Sequence, residues 1–114
     1  MPISKKQDFS YLWDMREAAQ EIVEFTQGVS YEEFTDNKQL RYAIERQLLV
    51  IGEAANHVST EFQEDHFEIP WAAIIAQRNV LAHDYGIIMT DRVWRAATVS
   101  VPELLTALEK LLPD

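Results

Sequence analysis

The chain has 114 residues, 47% hydrophobic and 25% charged, with three glycines, four prolines and no cysteine. This length predicts a single domain over residues 1–114, and the hydrophobic share excludes a mainly disordered chain. The missing cysteines exclude disulfide scaffolds and thiolate chemistry, and a net charge of -9 sets a field that repels nucleic acid and anionic membranes at long range.

Lys5 and Lys6 are followed by no apolar stretch, so the first ten residues do not read as a signal peptide. The longest strictly apolar run, residues 71–76, is far short of the roughly 20 residues of a membrane span. A soluble, cytoplasmic protein without a membrane partner is expected.

Helical periodicity runs through nearly the whole chain. Phe9, Leu12, Met15, Ala19, Ile22 and Val23 predict a first helix ending before Gly28, the residue best suited to a left-handed cap. Ser30-Tyr31-Glu32-Glu33 reads as a capping box opening a short turn. Leu40, Ala43, Ile44, Gln47, Leu48, Ile51, Ala55 and Val58 define the second helix, with Asp36 or Asn37 as N-cap. Gly52 inside it costs about 1 kcal/mol relative to alanine and predicts close packing of a neighbour. Residues 59–69 are polar and mixed, a connection with one helical turn.

Pro70 suits the first turn of a third helix with Trp71, Ile74, Ile75, Val80 and Leu81 as apolar positions and Gly86 as its stop. Thr90 would cap the last helix, where Val93, Trp94, Ala97, Val101, Leu104, Leu105, Leu108 and Leu111 form a stripe that Pro102 should kink. Four main helices in a short chain predict an all-α, antiparallel four-helix bundle with a short extra helical turn. Trp13, Trp71 and Trp94 read as core or interface anchors. Arg41 and Arg46 read as surface residues, and Glu32, Glu33 and Asp36 as a solvated face or a docking surface.

Of the three histidines, His57 follows Glu53 by four residues. A carboxylate-bridged di-iron bundle would use Glu-x-x-His twice, whereas this spacing is Glu-x-x-x-His and occurs once. His57 is read as a helix-end residue near the C-terminal dipole, and His66, in Glu64-Asp65-His66, as a solvated loop residue. No metal and no cofactor are expected.

His83 belongs to a different segment, Arg78-Asn79-Val80-Leu81-Ala82-His83-Asp84-Tyr85-Gly86. On an ideal helix Asn79 and His83 share a face, Arg78 and Tyr85 lie within roughly 20°, and Arg78 and His83 are about 140° apart. Arg78 and His83 are nevertheless long enough to converge on a groove beside the helix. Two readings stand open from spacing alone. In one, Arg78 pairs with an acidic neighbour and His83 hydrogen-bonds at the helix end. In the other, a permanent cation, an amide, an imidazole and a phenol bind phosphate, position an oxygen and move a proton.

The stretch Trp71-x-x-Ile74-x-x-x-Arg78-Asn79-x-Leu81-x-His83-x-Tyr85 resembles the HEPN superfamily in its HepT-like toxin branch, whose Arg-x4-His-x-Tyr pattern is met in full. The resemblance continues in Ser30-Tyr31-Glu32-Glu33-Phe34, in Gly52-Glu53-Ala54-Ala55, and in Asp91-x-x-Trp94 with Pro102-x-Leu104, so it covers essentially the whole chain. It implies a metal-independent endoribonuclease acting as a toxin. It also implies a homodimer with the two motifs facing one cleft, and an MntA-like nucleotidyltransferase antitoxin that transfers AMP from ATP onto the motif tyrosine. By position, Arg78 and His83 would be catalytic, Asn79 auxiliary and Tyr85 the modified residue, with RNA as substrate. Tyr85 is also open to plainer roles, closing the bundle end or stacking on a base. The runner-up is a non-catalytic module whose motif binds nucleotide, RNA or the transferase, and a plain helical scaffold ranks last.

Overall fold

The computed structural model describes residues 5–83 and 90–113 and is helical throughout its regular structure. Helix α1 spans Lys5–Thr26. It ends where the Thr26 hydroxyl donates back to the carbonyls of Ile22 and Val23, and Gly28 follows at φ +70. That left-handed backbone is the conformation that lacks a penalty only without a Cβ. The capping box forms as expected: Ser30 Oγ accepts from the Glu33 N–H and Glu33 Oε1 accepts from the Ser30 N–H, each at 3.1 Å. It opens α2, Tyr31–Asp36. Asn37, rather than Asp36, caps α3, Lys38–His57, by accepting from the Leu40 N–H at 3.0 Å.

The polar connection contains α4, Thr60–Asp65, and leads into α5, Trp71–His83. Pro70 stands one residue before α5, its carbonyl accepting from the Ile74 N–H at 3.1 Å. The last helix is broken into α6, Thr90–Arg95, a π-helical turn at Ala96–Ser100, and α7, Val101–Leu111. Pro102 accounts for the break, because it offers no N–H to the Thr98 carbonyl and its ring crowds that carbonyl. The widened turn relieves both effects, so the expected kink takes the form of a π-turn.

Helices α1 and α3 run antiparallel, with Asp8 at the start of α1 against Ser59 just past α3, and Glu21 hydrogen-bonded to Gln47. Leu12, Met15, Ala19 and Ile22 of α1 join Ile44, Leu48, Ile51 and Ala55 of α3 and Ala97, Val101 and Leu108 of the last helix in one buried cluster. Asp8 is the buried polar group of that packing, 2% exposed. Its two oxygens accept from the Ser59 N–H and hydroxyl, each at 2.8 Å. Ser59 Oγ in turn accepts from the Phe62 N–H, so one carboxylate ties α1 to the cap of α4.

Trp71 and Trp94 sit as the core anchors expected, and several other side chains depart from their expected settings. Trp71 is buried, with its indole N–H donating to the His66 carbonyl at 2.9 Å, and Trp94 packs on Phe34 at 4.9 Å between ring centres. Trp13 is instead 41% exposed, with the Arg16 guanidinium 4.9 Å from its ring centre. Val80 is 43% exposed, because the apolar positions of α5 encircle the helix rather than forming one stripe. His66 is not a free loop residue: it ends α4, half-buried, with its ring 4.3 Å from that of Phe62. Among the described residues no helix is long and apolar enough to cross a membrane.

Candidate active site

Gly52 explains how α5 reaches α3. A Cβ at that position would overlap Cβ and Cγ of Arg78 and come within 3.3 Å of its Cα, so only glycine permits the two backbones to approach here. The close packing expected of Gly52 therefore has a named partner, the arginine of the motif. One residue further along α3, Glu53 closes over that arginine. Its Oε1 accepts from Arg78 Nε at 2.6 Å and also from Nη2, while Arg78 Nη1 donates to Asn79 Oδ1 at 3.0 Å. The Arg78 side chain is three-quarters buried and Glu53 is half-exposed, so the pair sits at the rim of the core. Paired charges holding three hydrogen bonds fix the guanidinium plane far better than a solvated arginine would.

From there α5 runs antiparallel to α3. Leu81 lines a surface pocket of about 400 Å³ with Tyr42, Glu45, Arg46 and Leu49. Glu45 is partly sequestered there, and burial pushes its carboxyl above the usual carboxylate range, an effect Arg41 partly offsets. His83 follows as the last residue of α5, exposed, and no described residue hydrogen-bonds to it. Arg78 is thus turned into the α3 interface while Asn79 and His83 face outward, as the helical angles predict. The structure brings Arg78 and Asn79 together through a hydrogen bond and leaves His83 on the same helix one turn beyond. Tyr85 and Gly86 lie outside the described residues.

The bland reading of Arg78, pairing with an acidic neighbour, holds in the structure. It does not exclude chemistry, because a guanidinium has five N–H donors and the carboxylate engages two. Glu53 is the residue that the sequence reading left without a role. The signal for its contact with Arg78 was position: a glycine inside a strong helix marks a close crossing, and the charged residue beside it meets whatever crosses. His57 stacks on Tyr11 with ring centres 5.3 Å apart and planes at 22°. Among the described residues no three His, Asp or Glu side chains gather as metal ligands would.

Comparison with known proteins supplies an independent line. A family model described as Ribonuclease HepT-like matches residues 15–111. A Methanocaldococcus jannaschii protein named "Putative RNase MJ1380" is 35% identical over 107 residues, covering 94% of this chain and 98% of that protein. A Thermococcus cleftensis protein named "Probable ribonuclease HepT" is 34% identical over 107 residues, covering 94% and 97%. No solved structure matches the chain. With the match running from the middle of α1 to the end of α7, the chain belongs to the ribonuclease HepT-like family of the HEPN superfamily.

Proposed function

We propose that this protein is a metal-independent endoribonuclease and the toxin of a toxin–antitoxin pair, with Arg78 and His83 as its catalytic residues and Asn79 auxiliary. The observation that carries the reading is the Glu53–Arg78–Asn79 arrangement, which holds a guanidinium in one orientation on the helix that ends in an exposed histidine. RNA supplies its own nucleophile. One imidazole takes the 2′-hydroxyl proton, the 2′-oxygen attacks phosphorus, and the 5′-oxygen leaves with a proton from a second imidazole. The products are a 2′,3′-cyclic phosphate and a 5′-hydroxyl. Arg78 donates to the phosphoryl oxygens as their charge grows.

Each chain carries one motif histidine, so two copies acting across a shared cleft complete the acid–base pair. The outward side of α5 suits such a homodimer, since Ala72, Ala73, Ala76 and Val80 are exposed on a helix that is apolar on every side. Silencing by an MntA-like nucleotidyltransferase follows from the same site. The Tyr85 phenol oxygen attacks the α-phosphorus of ATP, pyrophosphate leaves, the phenol proton passes to solvent, and the anion added to the motif competes with substrate phosphate.

The test is cleavage of cellular RNA by the purified protein in EDTA, with intact mass recorded. Arg78→Ala and His83→Ala should each lower the rate by about 10²-fold or more. They should also relieve growth arrest on expression of the chain alone. Cleavage that persists in both variants, or unmodified protein that cuts nothing, sinks the ribonuclease reading. A second reading, a module that binds nucleotide or the transferase without cutting, is favoured by the neutralisation of Arg78 by Glu53. It predicts binding without cleavage.

A further inference from the structure

Along α3, the residues one and two turns from Glu53 border a second groove. It has a volume of about 270 Å³ between α1 and α3, and Glu53 lies on its wall, so the groove shares that residue with the Arg78 pair. Arg46 stands toward one end and the Tyr11–His57 stack at the other. Eleven helical steps lead from Arg46 to His57, a length of about 16 Å. Arg46 is exposed and, among the described residues, makes no ion pair, although it borders both this groove and the pocket lined by Leu81. The His57 ring is exposed and lies nearly parallel to that of Tyr11, which props it from α1.

We propose that this α1–α3 groove is a subsite for single-stranded RNA next to the Arg78–Glu53 pair, with a phosphate on Arg46 and a base stacked on the exposed face of His57. The proposal rests on RNA being the ligand of the motif site. Charge is the first argument. The chain carries a net -9, and Arg78 is already neutralised by Glu53, so a strand reaching this site needs an unpaired cation beside it. Arg46 is that cation. Shape is the second argument. A pre-stacked pair of rings offers a flat face to any base, and such stacking on a protein ring tolerates sequence. Asp14, on the opposite wall, repels phosphate but accepts hydrogen bonds from the exocyclic amino groups of bases. The groove therefore orients a strand with its backbone over Arg46 and its bases inward.

The experiment measures binding of a fluorescent single-stranded RNA with 2′-O-methyl at every sugar, which cannot be cleaved by 2′-oxygen attack, to the full chain across a salt series. Arg46→Ala should weaken binding and lower the slope of log K against log salt by about 0.7, the value of one single-strand phosphate contact. His57→Ala should weaken it about tenfold with the slope unchanged, the scale of one lost base stack. Arg92→Ala, an exposed arginine of α6, should match the parent. Arg46→Glu, also at an exposed position, should weaken binding more than Arg46→Ala.

Failure of the parent to bind, or variants that bind as it does, overturns the subsite. Equal weakening by Arg46→Ala and Arg92→Ala does so as well, because it shows only diffuse charge. A change in molecular mass by light scattering in either groove variant would make the groove a contact between copies, and the proposal would fall. Unmodified RNA run alongside separates the two readings. Groove-dependent binding without cleavage removes the ribonuclease and keeps the subsite. Cleavage indifferent to Arg46 and His57 keeps the ribonuclease and removes the subsite.

Discussion

Helix α3 is gripped from two sides, and the two contacts are built differently. Toward α1 the buried part of the contact is apolar, from Leu12 to Ile22 against Ile44 to Ala55, and its buried polar group, Asp8, is engaged by Ser59. Toward α5 the backbones touch at Gly52, a buried-rim ion pair lies over the crossing, and Glu45 is held partly out of water. Large side chains filling space make the first contact stable. The second gives up side-chain volume at Gly52 and keeps charges at the core's edge, which is expensive for folding and useful for chemistry. One helix thus carries the stability of the fold on one side and the orientation of the motif arginine on the other.

That division can be broken at four positions, taken from the largest expected effect to the smallest. Ile22→Ala, in the apolar contact, should lower unfolding free energy by about 2–5 kcal/mol, seen as an earlier denaturant midpoint. The cleavage rate per folded molecule should stay as it was. Gly52→Ala should destabilise by about 1–3 kcal/mol through overpacking against Arg78. Here cleavage by the folded fraction should drop as well, and unchanged cleavage would show that the crossing does not position the arginine.

Asp8→Ala leaves the Ser59 N–H and hydroxyl without their partner, at about 1–3 kcal/mol. Thermal unfolding should register the loss while cleavage does not. Glu45→Gln should act least and in the opposite direction. The folded state raises the Glu45 pKa, so it binds the proton more readily than the unfolded chain does. The stability tied to that proton is present below the usual value of 4.5 and is lost as pH rises through the folded value. The glutamine variant should therefore melt slightly higher at pH 7, and its melting temperature should decline less between pH 4 and 7.

Much of the site was legible as a list of residues and little of it as an arrangement. Arg78, Asn79 and His83 stand in one short segment whose helical angles already separate the arginine from the other two. What that arginine meets was not legible. Glu53 lies 25 positions earlier, and nothing in either segment states which face of α3 turns toward α5. Gly52 narrowed the question, because a glycine is placed inside a helix at a cost. It marked a crossing without naming the crossing partner. Arg46 shows the opposite failure: as a residue it reads as ordinary surface, and only the groove on either side of it gives the position meaning.

The sequence by itself determined the main helices, most of their caps and the break at Pro102. Those features depend on a side chain and a backbone group within four residues, as Ser30 with Glu33 and Asn37 with Leu40 show. Tertiary structure alone decided that Arg78 lies under Glu53, that His57 rests on Tyr11, and that Val80 and Trp13 face outward. Periodicity tells how many faces of a helix are apolar but not how two helices rotate and cross. A helix as uniformly apolar as α5 has no preferred inward face until α3 offers the one place where a backbone can come close.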